Sequence, residues 1–334
     1  MKKGNLAIFI PHVGCPHNCA FCNQWSISNT ESPPTAEEVG DLCNKFLPEK
    51  DSNIEIAFFG GSFTAIPQEY MQEILETACH YVKAGRATGI RISTRPDYIN
   101  ENILNILKNY EVTSIELGAQ SMNNEILAKI ERGHTAQDLV KASRLINEHG
   151  FSLGLQMMIG LPFEDNYEKE ALQTAIQIAE LKPDTVRIYP AITLKDTQME
   201  LWYRNGEYKP LNVEQAVNIS AKLLQLFEEK SINVIRVGLH ADEGLENAYV
   251  AGPYHPAFRQ LCEAYLYRTK LETTLAAIPQ GRYTISVAKG ELSTAIGQKK
   301  DNVLYFSNCG YQLEFEEIDS IPKGTYNIQP RSSE

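Results

Sequence analysis

The sequence has 334 residues, enough for one large domain and a small one. Its 31 Lys and Arg stand against 42 Asp and Glu, and the net charge of −11 excludes a general electrostatic pull toward nucleic acid or anionic membrane, though not a local basic groove. The lack of a long apolar span and of a secretory signal, with an odd count of 7 cysteines, argues against a membrane protein and a disulfide framework; the expected setting is a reducing cytoplasm.

In chain order, a short apolar run at residues 6–10, ended by Pro11, is the first expected strand. A cysteine loop follows: Cys15-Pro16-His17-Asn18-Cys19-Ala20-Phe21-Cys22, a C-x3-C-x2-C pattern. This spacing lets one loop aim three thiolates at one site, and thiolates are soft ligands suited to iron–sulfur clusters and zinc. Three protein ligands would leave one iron of a [4Fe–4S] cluster open to a small-molecule ligand. Zinc with His17 as fourth ligand competes, but zinc motifs usually pair C-x-x-C with a distant second pair, which is absent. Cys43, Cys79, Cys262 and Cys309 are isolated, and the first two fall in helical patterns where a buried thiol is ordinary.

Further strands are expected at 54–59, 89–93, 114–117, 152–158 and 185–189, each short and rich in Ile, Val, Leu or Phe, as in buried parallel sheets. Helical patterns lie between and after them at 35–47, 67–83, 100–109, 123–130, 136–149, 167–181 and 213–230. Pro67 suits a first helical position, Thr135 with Asp138 an N-cap and acidic first turn, and Gly150 a helix stop. Six βα units imply right-handed crossovers and an α/β fold, an incomplete (βα)6 TIM-type barrel over residues 1–236. In such folds the site lies at the C-terminal ends of the strands.

Polar and glycine-rich residues collect at those ends. Gly60-Gly61-Ser62 follows the second strand and lets a ligand approach the backbone closely; alone, a glycine pair is equally a tight turn. Arg95 can fork onto a carboxylate or pair with Asp97. Gln120 can bond sugar hydroxyls or stay solvated, and Gly160 can line a base edge or simply turn the chain. His134 is expected to introduce a helix rather than catalyse.

The cysteine loop, including the aromatic Phe21 before its last cysteine, resembles the cluster motif of radical S-adenosylmethionine (SAM) enzymes. The strings STRPDY (93–98), ELGAQS (116–121), RGHT (132–135), MMIGLP (157–162) and ELWYRNGEYKP (200–210) occur in the order found in the radical SAM core of the Elongator catalytic-subunit family. The resemblance covers roughly residues 5–236. It implies that Cys15, Cys19 and Cys22 hold a [4Fe–4S] cluster, and that Phe21, Gly60, Gly61, Ser62, Arg95, Gln120 and Gly160 border bound SAM. It also implies an external one-electron reductant of the flavodoxin or ferredoxin type. Three departures stand out. The family's usual Glu after the glycine pair is replaced by Ser62; the Elongator protein has longer spacing between its first two cluster cysteines, whereas this chain keeps the x3-x2 form; and the 98 residues after residue 236 are too few for Elongator's acetyltransferase domain.

After a Gly-, His- and acid-rich connector over 237–280, with a helix at 257–268 and a His240/His255 pair, the order strand, helix, turn, helix, strand is expected from residue 283. The string from Ile285 to Glu317 resembles the KH repeats of the transcription factor NusA, making 281–334 a small α+β KH-like domain. KH modules clamp single-stranded RNA with a GXXG loop. The corresponding loop is Gly297-Gln298-Lys299-Lys300, with Lys300 replacing the second glycine; Gly297, Lys299 and Lys300 are the candidate RNA contacts. From residue 281 onward 6 Lys and Arg face 7 Asp and Glu, so a packing module without RNA affinity is the competing reading.

The expected function is reductive SAM cleavage to a 5′-deoxyadenosyl radical acting on tRNA or rRNA. A small metabolite or peptide is the alternative substrate, and a non-catalytic, zinc-containing RNA-binding protein the alternative of another class.

Overall fold

The computed structural model describes residues 4–11, 13–23, 32–50, 53–240 and 243–331. Strands and helices alternate: β1 (Gly4–Ile10), α1 (Ala36–Phe46), β2 (Ile54–Gly60), α2 (Gln68–Lys83), β3 (Ile90–Thr94), α3 (Glu101–Asn109) and β4 (Val112–Gln120). Two helices, α4 (Asn124–Lys129) and α5 (Ala136–Glu148), precede β5 (Ser152–Ile159). Then come α6 (Tyr167–Glu180), β6 (Thr185–Pro190), the short β7 (Thr193–Leu194), α7 (Gln198–Arg204), α8 (Val213–Glu229) and β8 (Asn233–Val237).

Local signals set these boundaries. Thr35 with Glu38 and Thr135 with Asp138 form complete capping boxes at the starts of α1 and α5. Gly150, at φ +80°, follows the C-cap of α5. Pro67 stands at the N-cap of α2, one residue before the first helical position.

The main sheet has seven strands in the order β1-β2-β3-β4-β5-β6-β8, all neighbours parallel. Its sequential order makes a curled half-barrel, with β1 and β8 as its two edges. The six-strand expectation is corrected to seven: in Asn233-Val234-Ile235-Arg236-Val237 two polar residues among five leave too short an apolar stretch to mark a strand. Ile56, Ile90, Ile115, Leu153 and Val186 share one core with Ile74, Leu104, Leu139, Ile178 and Leu223 of the helices. Side chains alternate along a strand, so the neighbours of these strand residues point the other way, into the curl of the barrel.

Beyond β8 the chain forms α9 (Glu243–Ala248), β9 (Tyr249–Ala251), which pairs with β7, and α10 (Phe258–Leu275). Next come β10 (Arg282–Ala288), α11 (Leu292–Ile296), α12 (Asp301–Asn308), β11 (Gln312–Ile318) and β12 (Tyr326–Pro330). The anticipated strand–helix–helix–strand order is present. The edge strand β12 escapes sequence reading because Tyr-Asn-Ile-Gln-Pro is polar and short. Its sheet runs β11-β10-β12, with β10 parallel to β11 and antiparallel to β12.

Helix α10 continues past Arg268, where the sequence suggested its end, and joins the two parts. Phe258 and Cys262 pack in the barrel core; Tyr267, Leu271 and Leu275 pack with Ile285, Val287 and Phe306 of the C-terminal unit. Spacings of four keep each set on its own stripe, while the step of five from Cys262 to Tyr267 turns the helix by about 140°, so the two sets face different sides.

Candidate active site

A cavity of about 260 Å³ opens at the C-terminal ends of the barrel strands. Cys15, Cys19 and Cys22 all line it; Cys19 is buried and the other two are half-buried. The loop that carries them is fixed from two sides. The Gly61 amide donates to the Ile10 carbonyl at 2.8 Å, and the Ala20 amide to the Ile130 carbonyl at 3.0 Å. The Met199 amide at the start of α7 also donates to the Ala20 carbonyl, at 2.9 Å. Burial, and secondarily the neighbouring Cys19, push the Cys15 thiol pKa up; Arg132 and the Ser62 backbone oppose them.

Gly60 and Gly61 line the cavity, and their lack of side chains has a local cause. A Cβ on Gly60 would stand 2.6 Å from the Ile10 oxygen, and Gly60 adopts φ +115°. A Cβ on Gly61 would lie 2.5 Å from the Val13 oxygen and 3.4 Å from Cys15 Sγ. The pair thus seats the backbone of the cysteine loop as well as bordering the cavity. Ser62 does not line the cavity; it is buried, and its Oγ lies 3.0 Å from Thr94 Oγ1.

Arg95 lines the cavity and forks onto Asp97, with both nitrogen–oxygen distances 3.0 Å. Gln120 also lines it, at φ +65°, beside a register shift in β4. Bulges and positive φ in non-glycine residues recur at functional sites. The Gln120 Oε1 accepts from Gln156 Nε2 at 3.4 Å. Phe21 faces the cavity and packs with Ala20, Ile126 and Leu161.

Gly160 lies away from the cavity lining. Its carbonyl accepts from the Tyr208 hydroxyl at 2.7 Å, and a Cβ there would meet Leu211 at 2.7 Å. His134 is buried immediately before the Thr135 cap, with neither ring nitrogen hydrogen-bonded among the described residues. Burial first, then Arg132 and Arg95, lower its pKa to about 3, so the ring is neutral. His255 Nδ1 accepts from the Ala257 amide at 3.1 Å and His240 is exposed; Leu239 and Leu245 border the cavity in their place.

Sequence reading missed the barrel's charged floor. Arg91 reaches Glu55 and Glu116, each at 2.9 Å, and Arg187 forks onto Glu116 at 2.9 and 3.0 Å. Ser114 Oγ donates to Glu55 at 3.0 Å, and the Arg187 guanidinium lies over the Phe59 ring. The signal was present as a charged residue within each apolar run: Ile-Glu-Ile, Ile-Arg-Ile, Ile-Glu-Leu and Val-Arg-Ile, at 54–56, 90–92, 115–117 and 186–188. Of these four residues only Glu116 lines the cavity.

Residues 9–175, half of the chain, match the radical SAM superfamily, and residues 183–268 match the radical SAM C-terminal domain. The chain belongs to the radical SAM superfamily. It is 32% identical over 206 residues to a tRNA uridine(34) acetyltransferase of Methanocaldococcus jannaschii, covering 55% of this chain and 36% of that protein. It is 27% identical over 203 residues to human Elongator complex protein 3, covering 54% and 37%. The chain thus spans little more than a third of the length of these relatives. An archaeal Elp3 from Methanocaldococcus infernus shares the fold at TM-score 0.66 and 21% identity, over 80% of this chain and 63% of that one.

Members of this superfamily are enzymes that use a [4Fe–4S] cluster and SAM. The donor set suits both in chemistry, although among the described residues no three His, Cys, Asp or Glu side chains are already drawn together around one metal position. Three thiols from one loop face one cavity, a glycine pair lies beside them, and a buried guanidinium points at one of the sulfurs. The alternative of a non-catalytic zinc protein falls with this membership. No helix among the described residues is long and apolar enough to cross a membrane.

Proposed function

We propose that this radical SAM enzyme modifies RNA, tRNA first among candidates. The observation that carries the reading is the co-location of the three thiols, Gly60-Gly61 and Gln120 around one cavity at the strand ends, on a chain whose relatives are named for tRNA uridine chemistry. Cys15, Cys19 and Cys22 would hold the cluster, leaving one iron for SAM. When bound, the cluster would supply the electron for reductive cleavage of SAM, the radical chemistry that this superfamily implies.

The chain's own residues bind, orient and exclude water. The Gly60-Gly61 backbone borders the cavity beside Cys15. Gln120 offers an amide to ribose hydroxyls. Arg95 is committed to Asp97, which leaves it one further nitrogen to donate toward a carboxylate. Phe21, Met158, Leu239 and Leu245 keep the cavity wall apolar.

The C-terminal unit supports an RNA substrate through its loop. Gly297, Lys299 and Lys300 all have positive φ, at 79°, 53° and 64°, and both lysines are exposed. Lys300 therefore holds the left-handed backbone that a glycine would take freely at the second glycine position of GXXG. The net charge of −11 favours a second reading, the same chemistry on a small metabolite or peptide.

Anaerobic purification tests both. The expected preparation is brown, carries about four irons per chain, cleaves SAM when reduced and co-purifies with RNA that can be sequenced. Cys15→Ala, Cys19→Ala and Cys22→Ala should each abolish colour and cleavage, whereas Cys309→Ala should not. Protein with iron and SAM cleavage but no RNA affinity at low salt would favour the small-substrate reading.

A further inference from the structure

The cavity is bordered by two arginines with different partners. Arg95 is neutralised by Asp97. Arg132 is 7% exposed, and among the described residues no carboxylate lies within ion-pair distance of it. Its Nη2 donates to the Gly118 carbonyl at 2.9 Å, its Nη1 points at Cys19 Sγ at 3.4 Å, and its Nε is buried without a partner among the described residues. A buried charge is costly unless a counter-charge meets it. The group at hand is the Cys19 sulfur, which binds a metal as a thiolate.

The surroundings hold the guanidinium at that sulfur. The Arg132 amide is tied to the Leu127 carbonyl at 2.9 Å, and the adjoining Ile130 carbonyl accepts from Ala20 in the cysteine loop. Gly133 abuts the His17 ring so closely that a Cβ would stand 2.3 Å from it. Gly118 leaves room for the side chain itself: a Cβ there would lie 2.7 Å from Arg132 Nη2.

Resting on the three-cysteine reading above, we propose that Arg132 donates an N–H···S hydrogen bond to the Cys19 thiolate of the loaded enzyme and raises the cluster's reduction potential. Reduction moves one electron from an external one-electron donor onto a site already anionic through three thiolates; no covalent bond forms or breaks. A fixed cation and a hydrogen bond at the sulfur both favour the reduced state, because net charge and hydrogen bonds to sulfur set such potentials. Arg132 is thus a tuning residue that acts through Cys19.

The test compares anaerobically reconstituted wild type, Arg132→Gln and Arg132→Lys by iron content and by a potentiometric titration followed by electron paramagnetic resonance. Arg132→Gln should retain wild-type iron and titrate at a more negative potential. Arg132→Lys, which keeps the charge but loses the fork, should fall between. Full iron with an unmoved midpoint in Arg132→Gln overturns the proposal. Should that variant fail to fold or load, Gly118→Ala serves, since its Cβ crowds the guanidinium while leaving the arginine in place. Its midpoint should move in the same direction, and an unchanged midpoint there also overturns the proposal. Wild-type protein that takes up no iron would instead overturn the cysteine-site reading beneath it.

Discussion

Gly61 lies so close to the Val13 carbonyl that any side chain would put a carbon 2.5 Å from its oxygen. The obstacle is backbone, which cannot swing aside as a side chain can. Gly61→Ala must therefore displace the cysteine loop. Iron content after reconstitution should fall roughly two-fold or more, since cluster assembly needs all three thiolates in place. A Gly61→Ala protein with wild-type iron but lost SAM affinity would instead mark this position as pure ligand space.

The cysteine loop was readable because its ligands are close in sequence. Most strands were readable for the same local reason: a short run rich in Ile, Val, Leu or Phe marks a buried parallel strand even with one charge inside it. The seventh strand was hidden by Asn233 and Arg236. The charged floor was hidden by distance, since Arg187 and Glu116 lie 71 positions apart. Arg132 meets Cys19 across 113 positions. Each of those residues looks like an ordinary surface charge until the barrel curls. Gly160 shows the converse: its motif suggested a ligand edge, while its conformation serves the packing of Tyr208 and Leu211.

The charged floor predicts a stability effect. Glu116 is shared by Arg91 and Arg187, and all three side chains are largely buried. Glu116→Ala would strand the Arg187 guanidinium in the barrel interior and leave Arg91 with Glu55 alone. Removing one partner of a buried pair typically costs about 3–5 kcal/mol. Denaturant unfolding should show a loss of that order. A loss below about 1 kcal/mol, the range of surface pairs, would mean that water reaches the floor.

Glu164 gives a pH-dependent test. Burial first, with Glu170 adding to it and the Leu161 and Gly160 backbone opposing, pushes its carboxyl up to about 9, and among the described residues its Oε2 is buried without a hydrogen-bond partner. A carboxyl with a raised folded-state pKa binds its proton more tightly in the folded chain. Its contribution to stability is therefore complete below the ordinary value of 4.5 and is lost as pH rises toward 9. Glu164→Gln keeps the neutral shape at every pH. Relative to wild type it should gain stability between pH 5 and pH 8, on the order of 1–2 kcal/mol given 1.36 kcal/mol per pKa unit and partial relief by water. A stability difference that stays flat over that interval would show Glu164 to be ionised in the folded protein.

The loop between α11 and α12 decides the role of the C-terminal unit. Lys299 and Lys300 project from a left-handed turn and are exposed, with no acid within ion-pair distance among the described residues. If they meet phosphates, changing both to Ala should weaken RNA binding and reduce the salt dependence of affinity by roughly one to two slope units, because each contact releases condensed counterions. The loop belongs to the unit beyond β10, away from the cavity, so SAM cleavage without substrate should be unchanged. Lys300→Gly separates charge from conformation. It relaxes a backbone that costs a non-glycine residue about 1 kcal/mol, so it should stabilise the turn while still lowering the salt slope. An RNA affinity and slope equal to wild type in the double variant would make this unit a packing module and shift RNA recognition, if any, to the barrel mouth.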